Sequence, residues 1–309
     1  MTPAIHDNAG WADARPTLSV LIPFLRDDPA ALLDALDREA VAAAGRAEVV
    51  LLDDGTGDPA LTARLIAQVR RQTLPMRLIS LAENEGRALG RNRLADAARG
   101  EHLLFLDSDM RPDHPRFLTV WLETAESGAA VAFGGFSLKQ APVDARYAVH
   151  RAMAARSDCV PAAERALQPE KHVFTSNLLV RRDIFDAEAF DPAFTGWGWE
   201  DVEWAMRVSR RFEVRHIDNT ATHMGLDTVE VLLAKYRQAA PNFARLAALH
   251  PDLVATYPSY RLARRLKRTP GLGALARLTA AAARPVVLPV ALRAFLLRLH
   301  RTSLYAEAL

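Results

Sequence analysis

The chain contains a single cysteine, Cys159, and therefore cannot form an intramolecular disulfide. Small secreted proteins are commonly rich in disulfides, so the lone thiol favours a reducing compartment. Residues 1–15 also lack a basic segment followed by an apolar run, which is the pattern of a secretory signal. We therefore expect a cytoplasmic location, with peripheral attachment to the inner face of the membrane as an extension of that expectation.

Acidic residues are missing between Asp252 and Glu307, where ten arginines and lysines occur. The segment is rich in leucine and valine, but arginines interrupt every window long enough to span a bilayer. Two interpretations fit. Residues 260–301 can lie on an anionic membrane surface, at about 1 kcal/mol of attraction per basic residue. Alternatively, they form a helical appendage that packs on the core and leaves its arginines in solvent.

Strong charge of one sign is also absent, since 39 basic residues stand against 37 acidic ones. A net charge this small does not indicate a chain committed as a whole to nucleic acid, and we expect no nucleic-acid partner. Half of the residues are apolar, at 50%, which is ample for a substantial core. No internal repeat and no low-complexity linker interrupts the sequence.

Before residue 250, short apolar β-rich runs alternate with helix-like segments. Strands are predicted at 18–24, 49–52, 76–81 and 103–106, each followed by a helix, at 30–44, 59–71, 84–98 and 113–126. Further strands are predicted at 129–136 and 173–180. Four successive β–α steps predict an α/β fold with a doubly wound, mostly parallel sheet and a C-terminal helical appendage.

The run Asp107-Ser108-Asp109 comes directly after an apolar strand. Residues two apart on extended backbone project to the same side, and ligands of open α/β sheets gather at the carboxyl ends of strands. Carboxylate oxygens suit Mg²⁺ or Mn²⁺, which usually accompany phosphates. The pattern predicts that Asp107 and Asp109 hold a divalent metal. The alternative is a solvated Asp-x-Asp loop.

Two other polar groups follow strands. Asp54 lies in an Asp-Asp-Gly turn, where its carboxylate can accept from a uracil N–H or a ribose hydroxyl, whereas Asp58 is the expected N-cap of the next helix. Residues 84–86 form a flexible turn before Arg87 and Arg91, which are four apart on one helix face. These cations can meet a diphosphate or remain solvated.

A third group combines aromatic rings and acids around two glycines. Trp197 and Trp199 can stack on the C–H faces of sugars, while Glu200 and Asp201 can bind hydroxyls or take a proton from one. Alternatively, the acids stabilise a helix N-terminus and the tryptophans fill the core. Some twenty residues later, His223 stands beside a glycine, and it becomes a candidate ligand only if the fold brings it to the Asp-Ser-Asp run.

In their order and spacing these motifs resemble the family-2 glycosyltransferases of GT-A fold, with a later section similar to the galactosyltransferase and chondroitin-polymerase type. The resemblance covers residues 17–225. Its markers are Leu21-Ile22-Pro23, Asp53-Asp54-Gly55-Thr56, Asn84-Glu85-Gly86 with Arg91-Asn92, Asp107-Ser108-Asp109, Trp197-Gly198-Trp199-Glu200-Asp201 and His223.

The resemblance implies a domain organisation. A GT-A domain is expected at 17–250, with a Rossmann-like nucleotide-binding half at about 17–127 and an acceptor and catalytic half at about 128–250. Residues 1–16 form an N-terminal extension, and residues 251–309 form the basic amphipathic helical tail.

The resemblance also implies an activity. The chain is expected to be an inverting glycosyltransferase that uses Mn²⁺ or Mg²⁺ and moves a hexose or N-acetylhexosamine from a UDP-sugar. The expected acceptor is a glycan or a lipid-linked molecule in cell-envelope or exopolysaccharide synthesis.

Residue roles follow from the same resemblance. Asp201 is the expected catalytic base, with Glu200 beside it, and Asp109 and His223 are expected on the metal together with Asp107. The residues expected to contact the nucleotide-sugar are Pro23, Asp54, Asn84, Gly86, Arg91, Asp107, Ser108, Trp197 and Trp199.

Other classes share parts of the pattern. Phosphatases of the haloacid-dehalogenase type carry an Asp-x-Asp, but on the first strand of their domain, whereas here three predicted strands come first. Sugar-nucleotide pyrophosphorylases carry a glycine-rich basic loop after the first strand, which residues 23–26 lack. A catalytically silent glycan- or nucleotide-binding protein of the same fold remains the non-enzymatic alternative.

Overall fold

The computed structural model describes residues 2–309, which form eleven strands and fourteen α-helices. The strands are β1 (Ala4–Asp7), β2 (Leu18–Phe24), β3 (Ala47–Asp53), β4 (Met76–Ser80), β5 (His102–Leu106), β6 (Met110–Pro112), β7 (Val131–Phe133), β8 (Phe136–Ser137), β9 (Asn177–Arg181), β10 (Val214–His216) and β11 (Ala221–His223).

The helices alternate with the strands as far as β11 and then run on to the C-terminus. They are α1 (Ala30–Asp37), α2 (Ala40–Ala43), α3 (Pro59–Arg71), α4 (Arg87–Ala97), α5 (Phe117–Glu126), α6 (Ala148–Ser157), α7 (Ala162–Arg165), α8 (Arg182–Ala187), α9 (Glu200–Val208), α10 (Val229–Leu249), α11 (Pro251–Ala255), α12 (Pro258–Leu266), α13 (Leu272–Ala283) and α14 (Val290–Ala308).

Eight strands form one sheet in the order β1-β4-β3-β2-β5-β9-β7-β10. Strands β4, β3, β2 and β5 are parallel, while β1 and β9 run antiparallel to their neighbours. The parallel strands are mainly apolar because both faces are covered, and the buried Glu48 of β3 accepts a hydrogen bond from the Ser19 hydroxyl of β2. Val20 packs with α1, α3 and α5 on one face, and Leu21 packs with α4, α8 and α9 on the other. The predicted α/β class with a doubly wound sheet and a C-terminal helical appendage is confirmed.

The predicted helix over 30–44 is two helices, because the chain turns at Glu39 and that carboxylate accepts hydrogen bonds from the Leu118 and Thr119 amides at the start of α5. The helix predicted over 84–98 begins only at Arg87, since Gly86 has a φ of +90° and ends a loop tied to the end of β3. Strand β1, which the sequence did not predict, covers the edge of β4.

A second, three-stranded sheet has the order β6-β11-β8. It pairs His223 in β11 with Met110 in β6, the residue that follows the Asp-Ser-Asp run. The backbone N–H of Met224 donates to the carbonyl of Asp109 at 3.0 Å, which extends this pairing. The small sheet therefore joins two motifs that are more than one hundred residues apart in sequence.

The C-terminal tail packs on the rest of the molecule through its last helix. Leu297 and Ala294 of α14 share an apolar cluster with α6, α10 and α13, and Tyr305 of α14 shares another with α9 and α10. On the outer face of the tail, Val287 and Phe295 are exposed to solvent. Along residues 2–309, no helix combines the length and the apolar character needed to cross a membrane. The domain bounds stay a prediction.

Candidate functional site

A cavity of about 710 Å³ lies at the carboxyl ends of the parallel strands. Residues that follow β2, β3 and β5 form one wall, and Met153 of α6, Tyr236 of α10 and Tyr305 of α14 contribute to another. All the residues that the sequence analysis named as candidates for binding or catalysis line this cavity: Pro23, Asp54, Asn84, Gly86, Arg91, Asp107, Ser108, Asp109, Trp197, Trp199, Glu200, Asp201 and His223.

Asp109 and His223 are brought together by the pairing of β6 with β11. The His223 Nε2 lies 3.1 Å from Asp109 Oδ2. Burial opposes charging of the imidazole, but the hydrogen bond and charge of Asp109 raise the pKa of His223 overall. For Asp109, burial opposes the ionised form, yet the same contact lowers its pKa. A Cβ at position 225 would collide with Asp109 Oδ2, so Gly225 leaves the carboxylate its space.

The fit of a divalent metal rests on a second oxygen of the same carboxylate. Asp109 Oδ1 is buried and accepts no hydrogen bond. In the described part of the chain, no three side chains of His, Cys, Asp and Glu lie together as a ready-made metal site. Mg²⁺ is commonly held by one or two carboxylates, with substrate phosphates and water completing its shell. A two-residue site at Asp109 and His223 fits a metal that arrives with a diphosphate.

Asp107 has different partners from Asp109. It accepts a hydrogen bond of 2.7 Å from Arg91 Nη2, and Arg87 Nη2 lies 3.8 Å away. The same two arginines, one turn apart on α4, reach Glu200, with the Arg87 Nε at 2.9 Å and the Arg91 Nη1 at 3.7 Å. Two cations thus balance two carboxylates in a buried network. Because Asp107 and Glu200 are neutralised in this way, neither offers a free charge to the cavity.

Asp201 is the carboxylate that this network leaves out. It begins α9 next to Glu200, and the ion pairs formed by residues 2–309 do not include it. Its Oδ1 accepts from the Val202 amide at 2.8 Å. Burial, followed by the charge of Glu200, raises the pKa of Asp201 above its ordinary value of 3.8. A carboxylate with a raised pKa on a cavity wall is suited to accepting a proton.

The tryptophan loop before α9 is held in an unusual backbone conformation. Gly196, Gly198 and Trp199 all have positive φ, at +72°, +89° and +78°. The Trp199 indole packs at a tilt of 47° with its centroid 5.1 Å from that of the Phe243 ring, and its Nε1 donates to Tyr305 Oη at 3.1 Å. A left-handed tryptophan is strained, so packing from α10 and α14 is needed to hold it. The contacts of Trp199 with Phe243 and Tyr305 therefore stabilise the conformation of the loop.

Trp197 is also partly buried and lines the cavity. Its ring lies 6.5 Å from that of Tyr236, and the Lys235 ammonium lies 5.5 Å from its centroid. The lysine also pairs with Asp227 at 2.7 Å. Trp197 thus offers a partly open aromatic face on the cavity wall.

Asp54 ties down the loop over 84–86. Its Oδ1 accepts from the Glu85 amide at 2.7 Å, and its Oδ2 accepts from the Asn84 side chain at 2.9 Å and the Gly86 amide at 3.2 Å. Burial raises the pKa of Asp54, although these hydrogen bonds oppose the shift. Asp54 therefore has a structural task at the cavity wall as well as its predicted one.

The sequence profile of the family described as Glycosyl transferase family 2 matches residues 19–188, which is more than half of the 309-residue chain. The chain belongs to glycosyl transferase family 2. No curated protein matches it significantly.

Solved structures resemble this glycosyltransferase in fold. The mannosyltransferase PcManGT from Pyrobaculum calidifontis, in complex with GDP-Man and Mn²⁺, superposes with a TM-score of 0.56 at 17% identity, covering 95% of this chain and 86% of that one. TarS 1–349 from S. aureus gives 0.51 at 15% identity, covering 94% and 90%. Glucosyl-3-phosphoglycerate synthase from Mycobacterium tuberculosis, in complex with phosphoglyceric acid, gives 0.51 at 18%, covering 75% and 79%.

The family match ends before the tryptophan loop, so the roles of Asp201 and His223 do not follow from it. The chondroitin-polymerase-like resemblance of the later section stays a prediction. Sequence reasoning also missed many of the charged or polar residues of the cavity wall in this glycosyltransferase, among them Asp27, Lys235, Arg301 and Tyr305. Asp27 follows β2 directly and is the one that its position after a strand could have indicated.

Proposed function

We propose that this glycosyltransferase carries out inverting transfer of a sugar from a nucleoside diphosphate to a hydroxyl group of its acceptor. The observation that carries the proposal is Asp201, an unpaired carboxylate of raised pKa in the same cavity as Asp109 and His223. The arrangement provides a proton acceptor in the cavity that also contains the candidate ligands for a metal-bound diphosphate.

Asp201 takes the role of general base. It accepts the proton of the acceptor hydroxyl while that oxygen forms a bond to the anomeric carbon and the bond to the diphosphate oxygen breaks. A single displacement of this kind inverts the anomeric centre. The helix N-terminus of α9 favours the ionised carboxylate that the reaction needs, and the Glu200 charge beside it keeps it basic.

Asp109 and His223 would hold Mn²⁺ or Mg²⁺, with Asp107 beside them bound to Arg91. When bound, the metal supplies positive charge against the negative charge that develops on the departing diphosphate. The imidazole of His223 would have to be neutral to hold the metal, so metal binding there would favour loss of the proton that Asp109 stabilises.

The remaining predicted contacts belong to the donor. We assign Pro23 and Asp54 to the nucleoside and Asp107 to the ribose. We propose that the rest of the nucleotide-sugar contacts six other residues that line the cavity: Asn84, Gly86, Arg91, Ser108, Trp197 and Trp199. A UDP-sugar carrying a hexose or N-acetylhexosamine is the proposed donor, and a glycan or lipid-linked molecule of cell-envelope or exopolysaccharide synthesis is the proposed acceptor.

We also propose that the tail meets an anionic membrane surface with its outer face. Leu278, Val286, Val287 and Phe295 are 58–87% exposed there, next to Arg277 and Arg284. The packed inner face and an interfacial outer face are compatible, so both interpretations of the tail can hold together.

The proposal is tested by release of nucleoside diphosphate from UDP-, GDP- and dTDP-sugars with Mn²⁺, Mg²⁺ or a chelator. We compare the wild type with Asp109→Ala and with Asp186→Ala, an exposed aspartate of α8. Metal-dependent release from one donor that is lost in Asp109→Ala and kept in Asp186→Ala is the expected result. Nucleotide binding without release under any condition, acceptors included, would instead favour a binding protein.

A further inference from the structure

Arg301 lines the cavity from α14, far in sequence from every motif. Its Nε is buried without a hydrogen-bond partner. Among the described residues, no Asp or Glu oxygen lies within the 4.0 Å ion-pair distance of its guanidinium. Its close neighbour is the Tyr236 ring, 5.4 Å from the guanidinium carbon.

The three fully buried arginines among the described residues all have acceptors, whereas Arg301 is partly buried. Arg91 binds Asp107, Arg165 binds the carbonyls of Val160 and Ile217, and Arg293 binds the carbonyls of Ala283 and Arg284. Removing a charge from water without a partner is costly, so proteins pair such groups. Arg301 departs from this pattern at a position where a ligand can supply the missing partner.

Neighbouring acids do not fill this gap. Asp158, which follows α6, is the acid whose charge acts on Arg301. Burial raises the pKa of Asp158, however, and its Oδ1 already accepts a hydrogen bond from the Ser157 hydroxyl at 2.7 Å. Cys159 remains a neutral thiol, since burial raises its pKa to about 11. Arg301 is therefore a positive charge without an ion-pair partner, on a wall that it shares with Tyr236, Tyr305 and Asp158.

Its place on α14 connects it to the reaction. Arg301 and Tyr305 are four residues apart and share a helix face, about 6 Å along the axis. The Tyr305 hydroxyl accepts the Trp199 indole N–H, and Trp199 directly precedes Glu200 and Asp201. The guanidinium thus lies beside the wall that presents the proposed base and the two tryptophans, whereas the other proposed donor contacts follow β2, β3, β4 and β5 or lie on α4.

We propose that Arg301 binds a phosphate group on the acceptor, so that the substrate receiving the sugar is a phosphate-bearing alcohol. The guanidinium fork matches phosphate oxygens in a bidentate manner, and the aromatic wall of Tyr236 and Tyr305 lowers the local polarity and strengthens the contact. This inference rests on the proposed function, since it names the acceptor class of that site.

The test measures binding of glycerol 1-phosphate and of glycerol by ligand-observed NMR. It uses the full chain both without nucleotide and with its donor site filled by UDP and diamagnetic Mg²⁺. We compare the wild type with Arg301→Gln, Arg301→Lys and Arg277→Gln, the last being an exposed arginine of α13 outside the cavity. The wild type and Arg277→Gln should bind glycerol 1-phosphate alike. Arg301→Gln should bind it at least about ten-fold more weakly, and Arg301→Lys should fall between, since it keeps the charge but not the fork. Glycerol should not bind measurably.

Equal binding by the wild type and Arg301→Gln would overturn the inference. Binding that depends on Arg301 but disappears once UDP fills the site would also overturn it, because the phosphate would then belong to the donor. Melting temperature and UDP affinity report on folding, and Arg301→Lys carries the comparison if Arg301→Gln does not fold. Failure to bind or cleave any nucleotide-sugar would count against the proposed function alone, because glycerol 1-phosphate binding is read separately.

Discussion

At the scale of single residues, two adjacent acids have opposite environments. Glu200 is 4% exposed and bound by Arg87 and Arg91, whereas Asp201 faces the cavity without an ion pair. Consecutive residues of a helix point about 100° apart, so one side chain can join the buried network while the next reaches the substrate. Glu200 and Asp201 therefore differ in role because their side chains point in different directions from the helix.

Replacing the proposed base separates catalysis from binding. Asp201→Asn keeps the shape of the side chain and removes the proton acceptor. The rate of sugar transfer should therefore fall by about 10²–10⁴-fold, while the affinity for nucleotide stays within about two-fold of the wild-type value. Steady-state kinetics and calorimetry with UDP measure the two quantities. Asp186→Asn, on an exposed surface, should change neither. Transfer that remained at the wild-type rate would mean that another group takes the proton.

The same residue predicts a dependence on pH. Transfer needs ionised Asp201, and since its pKa is raised, activity should rise with pH at values above 3.8. For stability the sign is reversed: the folded state holds this proton at pH values where the unfolded state has lost it, so raising the pH through this window costs folding free energy. Asp201→Asn should therefore gain melting temperature relative to the wild type as pH rises, by about 1–2 °C per kcal/mol in a chain of 309 residues. A difference in melting temperature between the two proteins that stayed constant over this pH range would contradict the prediction.

At the scale of elements, helix α14 supports the loop that carries the acids. The Tyr305 hydroxyl accepts the Trp199 indole N–H, while its ring stacks at 4.1 Å on Phe243. Burial raises the pKa of Tyr305 to about 12, so the hydroxyl stays neutral. A residue near the C-terminus thus helps to hold Trp199 in its left-handed conformation, and with it the start of α9.

Tyr305→Phe tests this support, because it removes the acceptor of a partly buried indole N–H and keeps the stacked ring. We expect a loss of about 1–3 kcal/mol of stability and a fall in kcat that exceeds any change in donor KM. Tyr260→Phe is the matched control, since its hydroxyl has only a 3.4 Å contact with Arg264 on the outside. A change in donor KM alone would argue for a direct contact with the nucleotide-sugar instead.

At the scale of the whole molecule, the tail cannot be treated as a detachable anchor. Helix α14 buries Leu297 and Tyr305 against α10 and lines the cavity, so removing residues 261–309 would expose core and site together. A loss of membrane binding after such a truncation would not distinguish an anchor from a misfolded protein. Substitutions on the outer face leave the inner packing intact and are the sounder test.

Val286→Ser combined with Val287→Ser should weaken co-sedimentation with anionic vesicles several-fold without lowering the melting temperature, because both side chains are 77–87% exposed. Val143→Ser, at a site 90% exposed outside the tail, should have no effect. Unchanged co-sedimentation of the double variant would remove the membrane surface from the proposal.

Much of the nucleotide-binding half could be read from the sequence. The strands predicted over 18–24 and 103–106, the Asp58 cap and the position of Asp107 after a strand all follow from local patterns of apolarity and turn residues. The predictions that failed were the bounds of two helices, and both failed because of contacts with distant parts of the chain. Glu39 breaks a helix because its carboxylate is needed at the start of α5, and the loop over 84–86 delays α4 because Asp54 holds its amides.

The sequence by itself determined the α/β class, the strand ends at which polar side chains collect, and the acids and aromatic rings available there. The tertiary structure decided which of these meet. Pairing of β11 with β6 brings His223 to Asp109, α4 supplies the arginines that neutralise Asp107 and Glu200, and α14 carries Arg301 into the cavity. The reason is physical: apolar periodicity is a local property, whereas the partner of a charge is set by contacts between segments distant in the chain.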